Sequence, residues 1–190
     1  MAEIKTVSKS EVVKNRIYFY NDVERSTALD FNKSIRNMKN GLIRRQVVEE
    51  MDDPGNIFVH INTFGGSVFA GIAMMDEILN VKEIVPVTTV IDGCCMSAGT
   101  FMSVVGTRRL INPHAFILVH QMSHGFWGKY EELVDWGKNS RKLMKMIKNI
   151  YCKHTKMSKS FISELLKRDL YLDAKECIKY GLVDGIVGRE

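Results

Sequence analysis

The sequence predicts an α/β fold, a largely parallel sheet covered by helices. Three observations carry this reading. Short apolar runs of strand length alternate along the chain with longer segments at helical spacing. Glycine-containing turns join strand-like to helix-like runs twice, at Asn62-Thr63-Phe64-Gly65-Gly66-Ser67 and at Gly93-Cys94-Cys95-Met96-Ser97-Ala98-Gly99. No repeat, low-complexity tract or proline-rich linker breaks the 190 residues, so a single domain over residues 1–190 is expected.

Taken in order, Arg16 to Tyr20 reads as the first strand. Thr27-Ala28-Leu29-Asp30 is a capping-box variant, and Ala28, Phe31, Ile35 and Met38 then mark an apolar helical stripe. Gly41 is a candidate break, with residues 42–51 as a second helical piece. Asp53-Pro54-Gly55 is a turn. A buried strand over Ile57 to Ile61 is followed by a helix over Val68 to Leu79. Ile84 to Ile91 is the next strand, and the small-residue turn with Ser97 follows it. Leu110-Ile111 and Phe116 to Val119 complete the strands. Lys129 to His154 reads as one helix about 40 Å long. Its apolar side holds Leu133, Trp136, Leu143, Ile147 and Ile150, more than a small domain can cover, so part of it is expected to meet another subunit. Asp173-Ala174-Lys175-Glu176 is a second capping box, and Tyr180-Gly181 a helix end.

Composition narrows the function classes. The chain is 45% hydrophobic without a run of about 18 apolar residues, so no membrane span is expected. Met1-Ala2-Glu3-Ile4-Lys5 lacks the apolar core of a secretory signal. Cys94, Cys95, Cys152 and Cys177 form neither a disulfide framework nor a Cys-x-x-Cys pair, which suits a reducing cytoplasm. No His, Asp, Glu or Cys spacing resembles a metal site, and no cofactor is implied. The net charge of +5 comes from residues scattered over helical faces, with no recognition module for nucleic acid.

The chemistry gathers at the ends of the elements. Ser97 follows a strand-like run, His120 ends another, and Asp169 precedes a segment with helix-start chemistry. A hydroxyl, an imidazole and a carboxylate are the parts of a nucleophile, a general base and an orienting acid. The diglycine Gly65-Gly66 lets backbone N–H groups approach a developing oxyanion. Each residue also has a plainer role. Ser97 suits a helix N-cap, His120 a strand end satisfied by a carbonyl, and Asp169 a solvated terminus. His60, His114, His124 and His154 compete with His120, and Cys94 and Cys95 with Ser97. The nucleophile elbow of α/β-hydrolases is not indicated, because Cys95-Met96-Ser97-Ala98-Gly99 lacks its leading glycine.

Four segments together resemble the ClpP family of serine peptidases. They are Ile61-Asn62-Thr63-Phe64-Gly65-Gly66-Ser67-Val68, Gly93-Cys94-Cys95-Met96-Ser97-Ala98-Gly99, Val119-His120-Gln121, and the stretch from Asp169 to Asp184 ending Tyr180-Gly181-Leu182-Val183-Asp184. The match runs from about Arg16 to Val187. Phe64 stands where the family has proline, and Ala98 where it usually has methionine. The span between Ser97 and His120 is slightly short, and residues 27–56 are long. The N-terminal segment 1–15 is short for the axial loops that meet an ATPase.

The resemblance implies a ClpP/crotonase-like fold of stacked ββα units with a handle region at about 122–155. It implies Ser97, His120 and Asp169 as the triad, and the Gly66 and Ala98 N–H groups as the oxyanion hole. Side-chain identity at position 98 is then expected to matter little. It places Gly65, Gln121, Met122, Ser123 and Gly125 beside the substrate, with residues 122–128 as a handle strand. It further implies heptameric rings stacked as a tetradecamer through the long helix. An AAA+ unfoldase of the ClpX, ClpA or ClpC type would feed them, since this chain has no Walker A signature. A phage-type maturation protease of the same family, a catalytically silent ring subunit and a crotonase-like acyl-CoA enzyme stand as alternatives.

Overall fold

A computed structural model describes residues 11–123 and 125–188. Its elements run β1 (Glu11–Val13), β2 (Arg16–Phe19), α1 (Arg25–Val48), β3 (Ile57–Thr63), α2 (Val68–Lys82) and β4 (Val87–Met96). A single 3-10 turn, Ser97–Gly99, leads into α3 (Thr100–Ser103). Then come β5 (Arg108–Ile111), β6 (Phe116–Leu118), α4 (Tyr130–His154), α5 (Lys159–Leu165), β7 (Tyr171–Leu172), α6 (Ala174–Tyr180) and β8 (Gly185–Ile186).

The described strands form one sheet in the order β1-β2-β3-β4-β5-β8, with β6 also on β4 and β7 on β6. β2 through β5, β8 and β6 pair in parallel, and β1 and β7 are antiparallel additions. Alternation assigns the faces. Ile17, Phe19, Ile57, Val59 and Ile61 are fully buried, and Phe31 of α1 meets Phe19 edge-on. The opposite face of β2 and β3 carries Arg16, Tyr18, Phe58 and His60, all half-buried. No helix among the described residues is long and apolar enough to cross a membrane.

Several expectations need correction. α1 does not break at Gly41. Its buried stripe continues through Leu42, and one glycine costs a helix only about 1 kcal/mol. α1 starts three residues earlier than its capping signal suggested. Glu24 is the N-cap, and Thr27 accepts the Glu24 N–H at 3.0 Å from inside the first turn. The central strand begins at Val87, after Pro86, because α2 runs on to Lys82. It then extends through Met96, so Gly93 to Met96 are strand rather than turn. Residues 121–123 and 125–129 form no strand. None of the described strands runs beside them, and an extended segment without a ladder partner does not count as sheet. The Asp173 capping box is present, with Glu176 N–H on Asp173 at 2.8 Å and Asp173 N–H on Glu176 at 3.0 Å.

Candidate active site

Parallel strands deliver their C-terminal ends to one edge, and the singled-out residues fall there. β4 and β6 pair Cys94 with Phe116, Cys95 with Ile117 and Met96 with Leu118. One more step sets Ser97 level with Val119, beside His120. β6 and β7 pair Ile117 with Leu172 and Leu118 with Tyr171. Two more steps set His120 opposite Asp169, and the His120 Nδ1 lies 3.7 Å from an Asp169 carboxylate oxygen. Register alone thus brings residues 97, 120 and 169 to one corner.

Ser97 is not a plain N-cap. Met96 holds the N-cap position, and Ser97 opens the 3-10 turn with φ +52°, left-handed for a residue with a Cβ. Such a conformation costs about 1–3 kcal/mol and persists where surroundings over-determine it. Downstream, the Thr100 hydroxyl donates to the Ser97 carbonyl at 2.6 Å and shares a 2.6 Å bond with the buried Tyr151 hydroxyl of α4. The diglycine closes over the turn. A Cβ on Gly65 would lie 2.6 Å from the Ser97 Cβ and 3.3 Å from the Ala98 N, so only glycine fits. Gly65 O and Ser67 N–H bond Val23, each at 2.7 Å, while none of the described residues accepts the Gly66 N–H. Ala98 lies in the first turn after β4, where N–H groups lack helical partners. Position 98 is nevertheless not indifferent to its side chain. Ala98 is 1% exposed and packs beside Gly71 of α2.

The remaining geometry is open. Among the described residues, no hydrogen bond joins the Ser97 hydroxyl to His120. The Asp169 side chain is 81% exposed, so its pairing with His120 is solvent-screened. The Gln121 N–H is held by the Leu166 carbonyl at 2.7 Å, and the Met122 N–H points to the Met144 sulfur at 3.4 Å. Ser123 and Gly125 are exposed, and His124 lies outside the described residues. Burial pushes the Cys95 thiol up to about 12 and raises that of Cys94, so neither is a thiolate near neutrality. No cluster of three metal-ligating side chains occurs among the described residues.

Sequence reasoning missed one feature, a polar cluster upstream of Ser97. Asp92 accepts from the Tyr20 hydroxyl, from His60 Nδ1 at 2.9 Å and from Asn112 Nδ2 at 2.9 Å. Burial alone would raise the Asp92 carboxyl, but the bonds from His60 and Tyr20 outweigh it and hold it below its usual range. The signal was alternation: Tyr20 and His60 lie on the sheet face away from α1.

Residues 10–190 match the family model described as Clp protease. The chain belongs to the Clp protease family. It is accordingly a serine-type endopeptidase of that family. It is similar to an ATP-dependent Clp protease proteolytic subunit of Deinococcus radiodurans, 31% identical over 155 residues, 80% of this chain and 75% of the relative. One from Mesostigma viride is 32% identical over 181 residues, 93% and 78% of the two chains. Proteolytic subunit 1 of Chlamydia muridarum is 36% identical over 144 residues, 73% of each. Within a Clp protease fold, the corner holding Ser97, His120 and Asp169 is the candidate active site.

Proposed function

We propose that this chain cuts polypeptides through an acyl-enzyme, with Ser97 as nucleophile, His120 as general base and Asp169 as the acid that orients the imidazole. The observation that carries this is Ser97 itself, a strained serine at a strand end with Gly65 packed against it. His120 takes the hydroxyl proton as Ser97 attacks a peptide carbonyl. Asp169 faces the other ring nitrogen and stabilises the imidazolium. The Gly66 and Ala98 N–H groups receive the oxyanion; among the described residues none accepts the Gly66 N–H, and Ala98 stands in the first turn after β4. The imidazolium then protonates the leaving amine. Water, activated by His120, releases the acyl group.

Assembly belongs to the same proposal. The first half of α4 stands exposed, with Tyr130 and Leu133 uncovered and Trp127 just before it 99% exposed. A second copy covering that face fits rings stacked through the helix. The relatives' names carry ATP dependence, and this chain has no nucleotide motif of its own, so an AAA+ unfoldase would deliver unfolded polypeptide to the chamber.

The test is intact mass after treatment with a fluorophosphonate. A single adduct on wild type and none on Ser97→Ala supports the proposal. An adduct that survives Ser97→Ala overturns it. The 3.7 Å separation between His120 and Asp169 favours a second reading, a silent ring subunit. An assembled wild type that takes no adduct would establish that reading instead.

A further inference from the structure

The strand that leads to Ser97 does not run straight. β4 pairs with β3 in step up to Ile91 opposite Ile61, then resumes two residues out of step with Cys95 opposite Thr63. Asp92, Gly93 and Cys94 therefore stand opposite Asn62 alone, a bulge. At the same place β4 changes its outer neighbour. Thr88 to Ile91 pair with β5, and Cys94 to Met96 pair with β6, which leads to His120. The bulge thus sets both where β4 ends and how it lies against the strand with the imidazole.

A bulge deprives backbone groups of ladder partners, and here side chains replace them. Asn62 Oδ1 accepts the Cys94 N–H at 3.2 Å and the Cys94 thiol at 3.4 Å. Asp92, on the other side, ties the bulge to Tyr20 after β2, His60 of β3 and Asn112 after β5. His60 is itself fixed. A carboxylate only accepts, so Nδ1 carries the proton toward Asp92, and Nε2 accepts from Arg16 at 2.9 Å. Gly93 sits between the two anchors, where a Cβ would lie 3.1 Å from Asn62 Oδ1.

We propose that Asn62 and Asp92 are positioning residues for Ser97, which clamp the β4 bulge and so fix the height and direction at which the strand presents the hydroxyl. This rests on Ser97 being the nucleophile. It accounts for how a left-handed serine is held from upstream, as Thr100 and Tyr151 hold it from downstream.

The experiment measures the fluorophosphonate labelling rate, with kcat and KM on a peptide, for the full chain. Wild type is compared with Asn62→Ala, Asn62→Asp, Gly93→Ala and Asp92→Ala, each checked for thermal midpoint and assembled mass. Asn62→Ala, Gly93→Ala and Asp92→Ala are expected to slow labelling on the order of 100-fold, with the loss in kcat and KM unchanged. Asn62→Asp keeps the acceptor and recovers most of the rate. Wild-type rates in folded Asn62→Ala and Gly93→Ala overturn the proposal while leaving Ser97 intact. Equal losses in Asn62→Ala and Asn62→Asp that track a fallen midpoint also overturn it, since the role is then structural. If wild type itself takes no label, the Ser97 reading falls and this proposal falls with it.

Discussion

Ser97, Gly65 and Gly66 show how little room the site leaves at single positions. Gly65 has φ +97° and Gly66 +144°, and both meet backbone or Cβ atoms closer than 3 Å when given a side chain. Gly65→Ala is expected to push on Ser97 directly and lower the labelling rate by about 100-fold. Gly66→Ala collides with the Val23 carbonyl and is expected to lower the thermal midpoint as well. Gly41 is the contrast. It lies exposed inside α1 with nothing within 4 Å of a new Cβ. Gly41→Ala is therefore expected to stabilise the protein by about 0.5–1 kcal/mol, read by urea denaturation. Ser97→Ala is expected to lower peptidase turnover by about three or more orders of magnitude, measured on a short peptide so that no unfoldase is needed.

Between elements, Arg109 of β5 is the main clasp. It donates to the last-turn carbonyl of α4 at His154, to the C-cap carbonyl of α6 at Gly181 (2.8 Å), and to the Asp184 carboxylate. Arg109→Ala removes the guanidinium donor from both carbonyls and leaves Asp184 only the backbone N–H of residue 109, and is expected to cost about 1–3 kcal/mol in denaturant titration. Burial would raise the Asp184 carboxyl, but Arg109 wins and holds it below its usual range. A lowered carboxyl stabilises above its unfolded value and loses that contribution as pH falls through the folded one. Wild type should then lose stability below about pH 4, and Arg109→Ala should show a shallower acid slope. What the sequence made legible at this scale was whatever a local pattern encodes. The stripe from Ala28 to Met38, the Asp173 capping box and the Gly65-Gly66 turn were all readable. The two-residue strands β7 and β8 carry too little pattern to see. The bulge at Asp92 depends on Asn62 thirty residues away, and Asp169 gains its meaning only from its register with His120. Those are tertiary facts, and only the family resemblance pointed to the second.

For the whole molecule, the half-covered α4 carries the assembly prediction. Leu133→Asp places a charge on the exposed apolar side and is expected to reduce the assembled mass in light scattering, with circular dichroism unchanged. An unchanged mass would remove this face from the interface. The chain order of the sheet has a further consequence. β4 and β6 pair in space with only the 3-10 turn, α3 and β5 between them in sequence, so Ser97 and His120 are brought together by segments close along the chain. Asp169 lies just before β7, which is synthesised later and pairs antiparallel with β6. A chain emerging from the ribosome, folding from its N-terminus, therefore exposes the serine and the imidazole before their carboxylate exists. On the proposed triad, the order of synthesis itself would delay the arming of the site until the last quarter of the chain has folded.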